Sequence, residues 1–475
     1  MIKSNRCTPK VAILGAGISG LTTAYYFKKK FPHIDFHIIE KNKKVGGVLD
    51  TLIHNGHLYE LGARGIRPYG KGKVALEFIK EIGLWDKKVL ANNRGKSRYI
   101  FINNKFEKFP DNLRSLLFSN ATRGISAAIL KDLFSKSHKS FDSDETVATF
   151  VERHFGKKLK DRLFDPIISG IYAGDVDRLG LNAAFPKLAA MEKKHGSLLK
   201  AWWIQKANAK KELGPLRDAA IVSFEKGMAQ LAIELGSQLY GHLHLGQAVK
   251  SVTLMGNKYQ VEFGQKCEQY DFVISTLPTY ALSKVMHGFS KELPHYLDSI
   301  EYAPIAVVPL SFKNQVNFRN GFGYLIPFKE KQDILGVYCN DKAFPMFHKG
   351  RGSSFTVLIG GTRFKNFNDY SEKEFIAKAI ANLKNHLHVK EDPIFSTCKI
   401  MPQALPQYNV GHLDTLRKID SHCPGGLYVR GNFRDGVGIS DIIKNSSDTV
   451  NVLKAQIENF QLTSVSTKLE ESLPF

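Results

Sequence analysis

A short apolar run followed by three closely spaced glycines constrains the fold of this chain more than any other feature. Residues 11–14 read Val-Ala-Ile-Leu, and Gly15, Gly17 and Gly20 follow in a G-x-G-x-x-G pattern. A continuous apolar run is typical of a parallel strand that is buried on both faces. The glycines permit a tight turn, the close approach of a pyrophosphate and close packing of the next helix. The pattern therefore predicts a strand–turn–helix unit that binds a dinucleotide.

A second strand and an acidic residue support this interpretation. We expect a helix over about residues 19–31 and a strand over residues 36–39, which ends at Glu40, 20 residues beyond Gly20. An acidic residue at about that distance accepts hydrogen bonds from a ribose, and the amides at the helix N-terminus face the phosphates. The alternative is an ordinary strand–turn–helix unit with a surface glutamate.

Length and charge limit the classes of protein to which the chain can belong. Its 475 residues predict two or three domains. The 67 Lys and Arg residues against 45 Asp and Glu give a net charge of +22, which attracts nucleic acid, anionic lipid or an acidic small molecule. Because no nucleic-acid-binding signature is present, we expect no nucleic-acid partner. The five cysteines form no C-x-x-C pair, and no signal peptide or membrane-spanning run is evident, so we predict a cytoplasmic protein.

The end of the chain repeats the pattern of its start. A strand and glycine-rich turn at 427–438 and a helix from about 439 to 457 mirror the opening unit. We therefore predict an α/β fold with a Rossmann-like cofactor-binding domain built from separated segments, residues 8–90, 214–290 and 418–460. A domain that binds NAD is normally contiguous, whereas a longer cofactor can reach both glycine-rich turns, so this organisation favours FAD.

Two regions between these ends predict small antiparallel units. Alternating apolar residues around an Asn-Asn pair predict a β-hairpin over 98–109. Alternation with turns at Gly246 and Gly256-Asn257 predicts a small antiparallel sheet over 243–264.

The remaining chain is divided between a second domain and a helical insert. Residues 91–110 and 291–417 mix strands with helix, which predicts a mixed α+β substrate-binding domain. Residues 111–213 carry apolar residues at spacings of three and four, which predicts a helical insert. The polar residues 461–475 are expected to form a flexible tail.

Six sequence blocks resemble the protoporphyrinogen oxidase family, which belongs to the flavin-containing amine-oxidase-like superfamily. The blocks are GAGISGL (15–21), EKNKKVGG (40–47), YELGARGIRP (59–68), GIYAGDVDRLGLNAAFPKL (170–188), LPQYNVGH (405–412) and GNFRDGVGISDII (431–443). The resemblance extends from Val11 to about Leu453. One departure is Ala63, where the family usually has proline.

The resemblance implies a set of FAD-binding residues and one substrate-binding residue. Arg98 matches the arginine that binds a substrate propionate, and a helix N-terminus near Ile439 is expected beside the flavin ring. The alternatives are an exposed strand-end arginine for Arg98, a loop arginine paired with a local carboxylate for Arg64, and a plain strand residue for Val249. The implied FAD-binding residues are Gly15, Ala16, Gly17, Ile18, Ser19, Gly20, Glu40, Lys41, Gly47, Gly62, Ala63, Arg64, Gly65, Val249, Asn432, Val437, Gly438 and Ile439.

The resemblance also implies an activity, the oxidation of protoporphyrinogen IX to protoporphyrin IX with FAD and oxygen in haem biosynthesis. The apolar neighbours of Arg98 favour protoporphyrinogen, because an unpaired carboxylate is costly to bury. The alternatives are oxidation of coproporphyrinogen III, a flavin amine oxidase or desaturase, and a non-catalytic flavin-binding protein. No metal site and no catalytic acid–base pair is evident, and a homodimer is a further expectation.

A tryptophan pair suggests a membrane surface as a partner. Trp202 and Trp203 lie in a lysine-rich stretch over residues 191–211, and aromatic rings with a lysine fringe suit an anionic membrane interface. The alternative is that both tryptophans lie in the core and the lysines form a solvated face. The first interpretation predicts peripheral attachment to the inner face of the membrane.

Overall fold

A computed structural model describes most of the chain, with backbone alone for residues 461–470. The tryptophan pair predicted to contact a membrane, Trp202 and Trp203, lies outside the described residues. The described ranges are 8–68, 71–110, 144–199, 221–286, 289–350, 352–434 and 436–470, together with residues 115, 122 and 132.

Strands occur throughout the described part of the chain. In chain order they are β1 (Val11–Leu14), β2 (Phe36–Glu40), β3 (Thr51–His54), β4 (His57–Glu60), β5 (Lys88–Leu90), β6 (Arg98–Ile102), β7 (Lys105–Lys108), β8 (Val222–Phe224), β9 (Leu243–Leu245), β10 (Val249–Met255), β11 (Lys258–Phe263), β12 (Lys266–Tyr270), β13 (Phe272–Ser275), β14 (Tyr302–Phe312), β15 (Gly323–Leu325), β16 (Ile334–Cys339), β17 (Ser353–Gly360), β18 (Phe395–Ser396), β19 (Lys399–Pro406) and β20 (Leu427–Val429).

The longer helices lie between these strands. They are α1 (Ile18–Lys30), α2 (Gly72–Glu81), α3 (Val147–Phe155), α4 (Asp165–Tyr172), α5 (Pro186–His195), α6 (Ala229–Gln238), α7 (Glu292–Asp298), α8 (Glu372–Leu387), α9 (His412–His422) and α10 (Ile439–Glu470). Single turns of helix cover Lys157–Leu159, Leu181–Ala184, Thr279–Leu282 and Asn340–Ala343, and a wider π-helical turn covers Lys160–Phe164.

A five-stranded parallel sheet joins the two ends of the chain. Its strand order is β20-β13-β1-β2-β9, and β1 lies between β13 and β2 with Val11 opposite both Phe272 and Phe36. Strands from widely separated parts of the sequence therefore form one sheet. This confirms the predicted Rossmann-like domain built from separated segments.

Different elements pack on the two faces of this sheet. Successive residues of a strand point to opposite faces, so β1 contributes to both cores. Val11 and Ile13 pack in a core with residues of helices α1, α2, α6 and α10. Ala12 and Leu14 pack in a second core with residues of β10, β11 and β13. Helices α1, α2, α6 and α10 therefore cover the first face, and the antiparallel strands β10–β12 cover the second.

The prediction for 243–264 is correct for two of its three strands. Strands β10, β11 and β12 form an antiparallel sheet, as expected from the turn at Gly256. Leu243–Leu245, however, pairs in parallel with β2 and closes the edge of the main sheet. A strand of three residues carries too little periodicity for the sequence to distinguish the two partners.

An eight-stranded sheet forms the second domain and contains the predicted hairpin. Strands β6 and β7 pair antiparallel around Asn103 and Asn104, whose φ angles of 51° and 59° are those of a tight type I′ turn. The hairpin adds to the sheet because β6 pairs in parallel with β15. Helix α8 covers one face, and it begins with a capping box formed by Ser371 and Glu374.

Strand β14 illustrates how this sheet presents one face to the functional site. Ala306 and Val308 point to the core beneath helix α8, whereas Ile305 and Val307 point to the opposite face. The described residues 144–199 are mainly helical and pack on Ile100 of the hairpin, as expected of the helical insert.

Helix α10 extends further along the chain than the sequence predicted. Helix α10 continues to Glu470, so the backbone at 461–470 is helical where the sequence predicted a flexible tail. Among the described residues no helix has both the length and the apolar character needed to cross a bilayer.

Candidate active site

A cavity of about 480 Å³ lies where the parallel-sheet domain meets the eight-stranded sheet. Its volume falls within the range of small-molecule and cofactor sites. Residues predicted from widely separated sequence blocks line this one space. They are Ile18, Gly62, Ala63, Arg64, Gly65, Arg98, Asn432, Val437 and Ile439.

The glycine-rich turn beside this cavity has the geometry that its sequence predicts. Gly15 has a φ of +97°, which favours glycine, and a Cβ at Gly20 would lie 1.9 Å from the carbonyl oxygen of Gly15. Gly17 has a φ of −73°, which any residue can adopt. Within the described part of the chain a Cβ there would meet only the Cα of Gly47, at 4.0 Å, which leaves room for a ligand beside Gly17.

A second loop lies directly on this turn. The amide of Gly46 donates to the carbonyl oxygen of Ala16 at 2.9 Å, and a Cβ at Gly47 would lie 3.2 Å from the Cα of Gly17. The turn and the loop therefore form two sides of a cradle made of backbone. Ser19 lies in the first turn of helix α1, where amides precede the first intrahelical hydrogen bond and can donate to a phosphate.

Glu40 ties this cradle to the next segment of the domain. Its Oε2 accepts a hydrogen bond from Ala16 N at 2.9 Å, and its Oε1 accepts from the backbone and side-chain nitrogens of Asn42 at 2.9 and 2.7 Å. Its backbone oxygen accepts from Gln247 N at 2.8 Å. Val249 follows at the start of β10, partly buried against the core, and Lys41 is exposed. Glu40 is thus joined at one end of the cradle to Gln247, two residues before Val249.

The segment that contains Arg64 packs closely against the rest of the domain. A Cβ at Gly62 would lie 1.8 Å from the carbonyl oxygen of Val48, and one at Gly65 would lie 2.2 Å from the side chain of Ile221. Packing within the protein therefore already requires these two glycines. Both glycines also line the cavity, and their contact with FAD stays a prediction.

Arg64 is held by neutral partners. Its guanidinium donates to Asn340 Oδ1 at 3.2 Å and to the carbonyl oxygen of Glu60 at 3.5 Å, and it lies 4.2 Å from the ring centre of Tyr338. Among the residues the structure describes, no carboxylate lies within ion-pair distance of it. Burial lowers the pKa of the guanidinium, and the residue is part of the cavity lining.

Glu60 is a residue that the sequence interpretation missed, because its importance comes from burial that no local pattern reveals. The residue is 6% exposed, and its carboxylate accepts hydrogen bonds from Met228 N at 2.7 Å and Thr51 Oγ1 at 2.8 Å. Burial raises the pKa of this carboxyl to about 7, against the opposing effect of these hydrogen bonds and of Arg64. A titrating group therefore lies directly behind Arg64.

We expect Glu60→Gln to remove a pH dependence of stability. Because the folded-state pKa lies above the unfolded value of 4.5, the carboxyl stabilises the fold at low pH and loses this contribution as pH rises from about 4.5 to 7. The loss amounts to about 3 kcal/mol. Thermal unfolding of both proteins between pH 5 and 8 measures it, and equal slopes would contradict the assignment.

Tyr408 and His412 belong to the sequence block LPQYNVGH (405–412), and they hold the turn that precedes α10. The hydroxyl of Tyr408 donates to the carbonyl oxygen of Asn432 and accepts from Gly436 N at 3.0 Å. The ring of His412 stacks on that of Tyr408, and its Nε2 lies 2.7 Å from the carbonyl oxygen of Phe433. These two side chains support the turn without lining the cavity.

The predicted helix N-terminus near the cavity is present. Helix α10 begins at Ile439, which lines the cavity together with Val437, and Gly438 lies between them. The positive end of the helix dipole there favours negative charge on a bound group. Asp441 of the first turn is paired with Lys71 at 2.6 Å.

The other side of the cavity is largely apolar. Tyr99, Ile305, Val307 and Tyr324 line it from the eight-stranded sheet. Arg98 is exposed and lines the cavity at the start of β6, which agrees both with the implied propionate contact and with its alternative, an exposed strand-end arginine. Arg67 is a second exposed cation in the lining that the sequence interpretation did not select.

The residues present fit FAD. The backbone cradle beside Gly17 leaves room for a pyrophosphate, Glu40 lies at its end, and a helix N-terminus at Ile439 lies on the cavity. Within the described ranges no group of three or more side chains is placed to hold a metal ion. The arrangement suits a dinucleotide cofactor with an apolar substrate space beside it.

The sequence matches the family model described as flavin containing amine oxidoreductase over residues 18–432. The chain belongs to this family. It is therefore a flavin-containing oxidoreductase, and FAD is its cofactor. The match covers segments of both domains, from the first residue of helix α1 to Asn432.

Curated relatives align along nearly their whole length with this flavin-containing oxidoreductase. A protoporphyrinogen oxidase of Dictyostelium discoideum is 29% identical, with 94% of this chain and 99% of the relative covered. The human protoporphyrinogen oxidase is 26% identical, with 92% and 96% covered. A coproporphyrinogen III oxidase of Staphylococcus aureus is also 26% identical, with 92% and 97% covered.

Solved structures support the fold. A crystal structure from Exiguobacterium sp. 255-15, provisionally named protoporphyrinogen oxidase, superposes with a TM-score of 0.82 at 20% identity, covering 95% of this chain and all of the other. A putrescine oxidase superposes with a TM-score of 0.68 at 15% identity, covering 94% and 99%. At these identities the superpositions establish the fold alone.

Proposed function

We propose that this protein oxidises protoporphyrinogen IX to protoporphyrin IX, with FAD as cofactor and oxygen as electron acceptor, in haem biosynthesis. The observation that carries the proposal is one cavity that combines three features. It contains the helix N-terminus at Ile439, an apolar wall from β14 and an arginine, Arg98, at its exposed edge. An apolar macrocycle with carboxylates at its rim requires these features. The two relatives named protoporphyrinogen oxidase, from Dictyostelium discoideum and human, support the same activity.

The reaction removes six hydrogens from the macrocycle in three two-electron steps. Bound FAD supplies the chemistry by accepting two electrons in each step and passing them to oxygen, which is reduced to hydrogen peroxide. The chain's own residues bind and orient the substrate. Ile305 and Val307 exclude water from one face of the cavity, and Arg98 fixes a propionate at its edge.

We expect Arg98→Ala to weaken substrate binding and leave the flavin content unchanged. Loss of a charge-assisted hydrogen bond costs about 1.5–3 kcal/mol, which raises KM by about ten-fold or more. Steady-state kinetics on protoporphyrinogen measure the effect. Lys105→Ala, at an exposed position of the same hairpin, is the matched control and should leave KM unchanged. An unchanged KM in Arg98→Ala would contradict the assignment.

We also propose that the protein binds an anionic membrane surface and forms a homodimer. Support for the membrane surface comes from the net charge of +22 and from the tryptophan pair in its lysine-rich stretch. We expect binding to anionic vesicles that weakens at high salt, because salt screens surface charges. Replacing Trp202 and Trp203 with serine should weaken this binding while FAD is retained. If the unaltered protein does not bind such vesicles at low salt, membrane attachment is excluded.

A further inference from the structure

A second cavity, of about 370 Å³, lies next to the active-site cavity. The two cavities share three lining residues, Ser169 and Ala173 at helix α4 and Leu335 on β16. Two loops form its mouth, the loop from Ile326 to Asp333 between β15 and β16 and the loop from Gly361 to Tyr370 after β17. The second cavity therefore adjoins the proposed substrate site along these three residues.

Two lysines give the mouth of the second cavity an uncompensated positive charge. Lys331 and Lys365 both line it and are exposed. Within the described part of the chain, no carboxylate lies at ion-pair distance from either lysine. The acidic residue in the lining, Asp333, is already paired with Lys378 at 2.6 Å.

Arg363, the third cation of this cavity, has a different role. Its guanidinium is paired with Asp165 and Asp175, which lie at either end of helix α4, and it stacks 4.3 Å from the ring centre of Phe328. Its charge is therefore neutralised within the protein. These contacts hold the helix and both loops in place. The two loops carry Lys331 and Lys365 at the mouth of the cavity.

The interior of the second cavity combines aromatic surface with a polar atom that lacks a protein partner. Phe328, Phe364 and Tyr370 contribute rings to its lining. The Oγ1 atom of Thr362, also in the lining, is buried and has no hydrogen-bond partner among the described residues. Apolar walls with a few polar groups and a cationic mouth suit the carboxylate-bearing edge of an apolar ligand.

The strand register places the second cavity away from Arg98. Arg98 lies opposite Gly323 in the parallel pairing of β6 with β15. The second cavity begins at Ile326, beyond the other end of β15, so three residues, about 10 Å, separate the two points along the strand. A macrocycle that is held by Arg98 and extends along β15 would direct its opposite rim towards Lys331 and Lys365.

We propose that the second cavity is a carboxylate subsite, in which Lys331 and Lys365 bind the propionates on the side of the macrocycle that faces away from Arg98. This inference rests on the proposed oxidation of a porphyrinogen. It implies that the enzyme accepts a substrate with propionates on both sides of the ring. Coproporphyrinogen, with four propionates, is such a substrate, whereas protoporphyrinogen carries only two.

Charge reversal of the two lysines tests the subsite. The variant Lys331→Glu/Lys365→Glu is compared with wild-type protein and with Lys313→Glu/Lys390→Glu, which changes net charge equally at exposed positions outside both cavities. Steady-state kinetics of the FAD-loaded proteins are measured on coproporphyrinogen and protoporphyrinogen. We expect kcat/KM for coproporphyrinogen to fall ten-fold or more in the first variant and to change little for protoporphyrinogen, while the control resembles wild type.

Each other outcome overturns a defined part of the account. If wild-type protein oxidises protoporphyrinogen and not coproporphyrinogen, the subsite is wrong and the proposed function stands. If charge reversal lowers kcat/KM equally for both substrates, or no more than the control does, the lysines form no carboxylate subsite. If neither porphyrinogen is oxidised, the proposed function fails, and the subsite fails with it.

Discussion

Gly17→Val yields a folded protein without FAD if the cradle is correctly assigned. The backbone at Gly17 has a φ of −73°, and among the described residues a Cβ there meets only the Cα of Gly47, at 4.0 Å. Valine can therefore place its Cβ at this position without a clash. Its branched side chain instead occupies the space beside the turn, where the pyrophosphate must approach. The flavin absorbance per mole of purified protein and the circular dichroism spectrum measure the two effects separately.

Two glycine variants serve as controls for this result. A Cβ at Gly241 has no neighbour within 4 Å among the residues that the structure describes, so Gly241→Val should keep both fold and FAD. A Cβ at Gly20 would overlap the carbonyl oxygen of Gly15 at 1.9 Å, so Gly20→Ala should destabilise the fold itself. A Gly17→Val protein that purifies fully loaded with FAD would show that the cofactor does not cross this turn.

Arg363→Ala is expected to lower the stability of the protein by about 3–5 kcal/mol, because it leaves a buried charge without its partner. The side chain of Asp165 is only 6% exposed and pairs with Arg363, and its other oxygen accepts from Phe328 N at 2.8 Å. Arg363 also pairs with Asp175 at the far end of helix α4. One guanidinium therefore holds a helix that lines both cavities.

Urea unfolding followed by circular dichroism measures this loss. Arg417 pairs with Asp414 at the surface, where the two side chains are 76% and 61% exposed, and Arg417→Ala should change stability by less than about 1 kcal/mol. Adding Asp165→Asn to Arg363→Ala should restore part of the lost stability, because it removes the unpaired charge. If Arg363→Ala unfolds at the same urea concentration as wild type, the network does not support helix α4.

The cofactor-binding elements were predictable because their signals are local. The run at 11–14, the glycine turn and the strand ending at Glu40 each depend on neighbours in sequence, and all occur where predicted. The hairpin turn at Asn103 and Asn104 follows the same rule, since two residues with positive φ select the turn type. Local backbone requirements and short-range periodicity were therefore enough to predict the strands and turns that surround the site.

The supporting contacts were not predictable because they join residues far apart in sequence. Glu60 accepts a hydrogen bond from Met228 N, and Tyr408 donates one to the carbonyl oxygen of Asn432. No periodicity or spacing in the sequence reveals these pairings. Lys331 and Lys365 look like ordinary surface lysines in the sequence. Only the two folded loops place them at the mouth of one cavity.

The most direct test of the account is turnover of protoporphyrinogen by the purified, FAD-loaded protein. We expect fluorescent protoporphyrin to form well above the rate of spontaneous oxidation, with three molecules of oxygen consumed per molecule of porphyrin. We also expect mixing without oxygen to bleach the flavin absorbance. Porphyrin formation no faster than in protein-free solution, with the flavin absorbance unchanged on anaerobic mixing, would contradict the account.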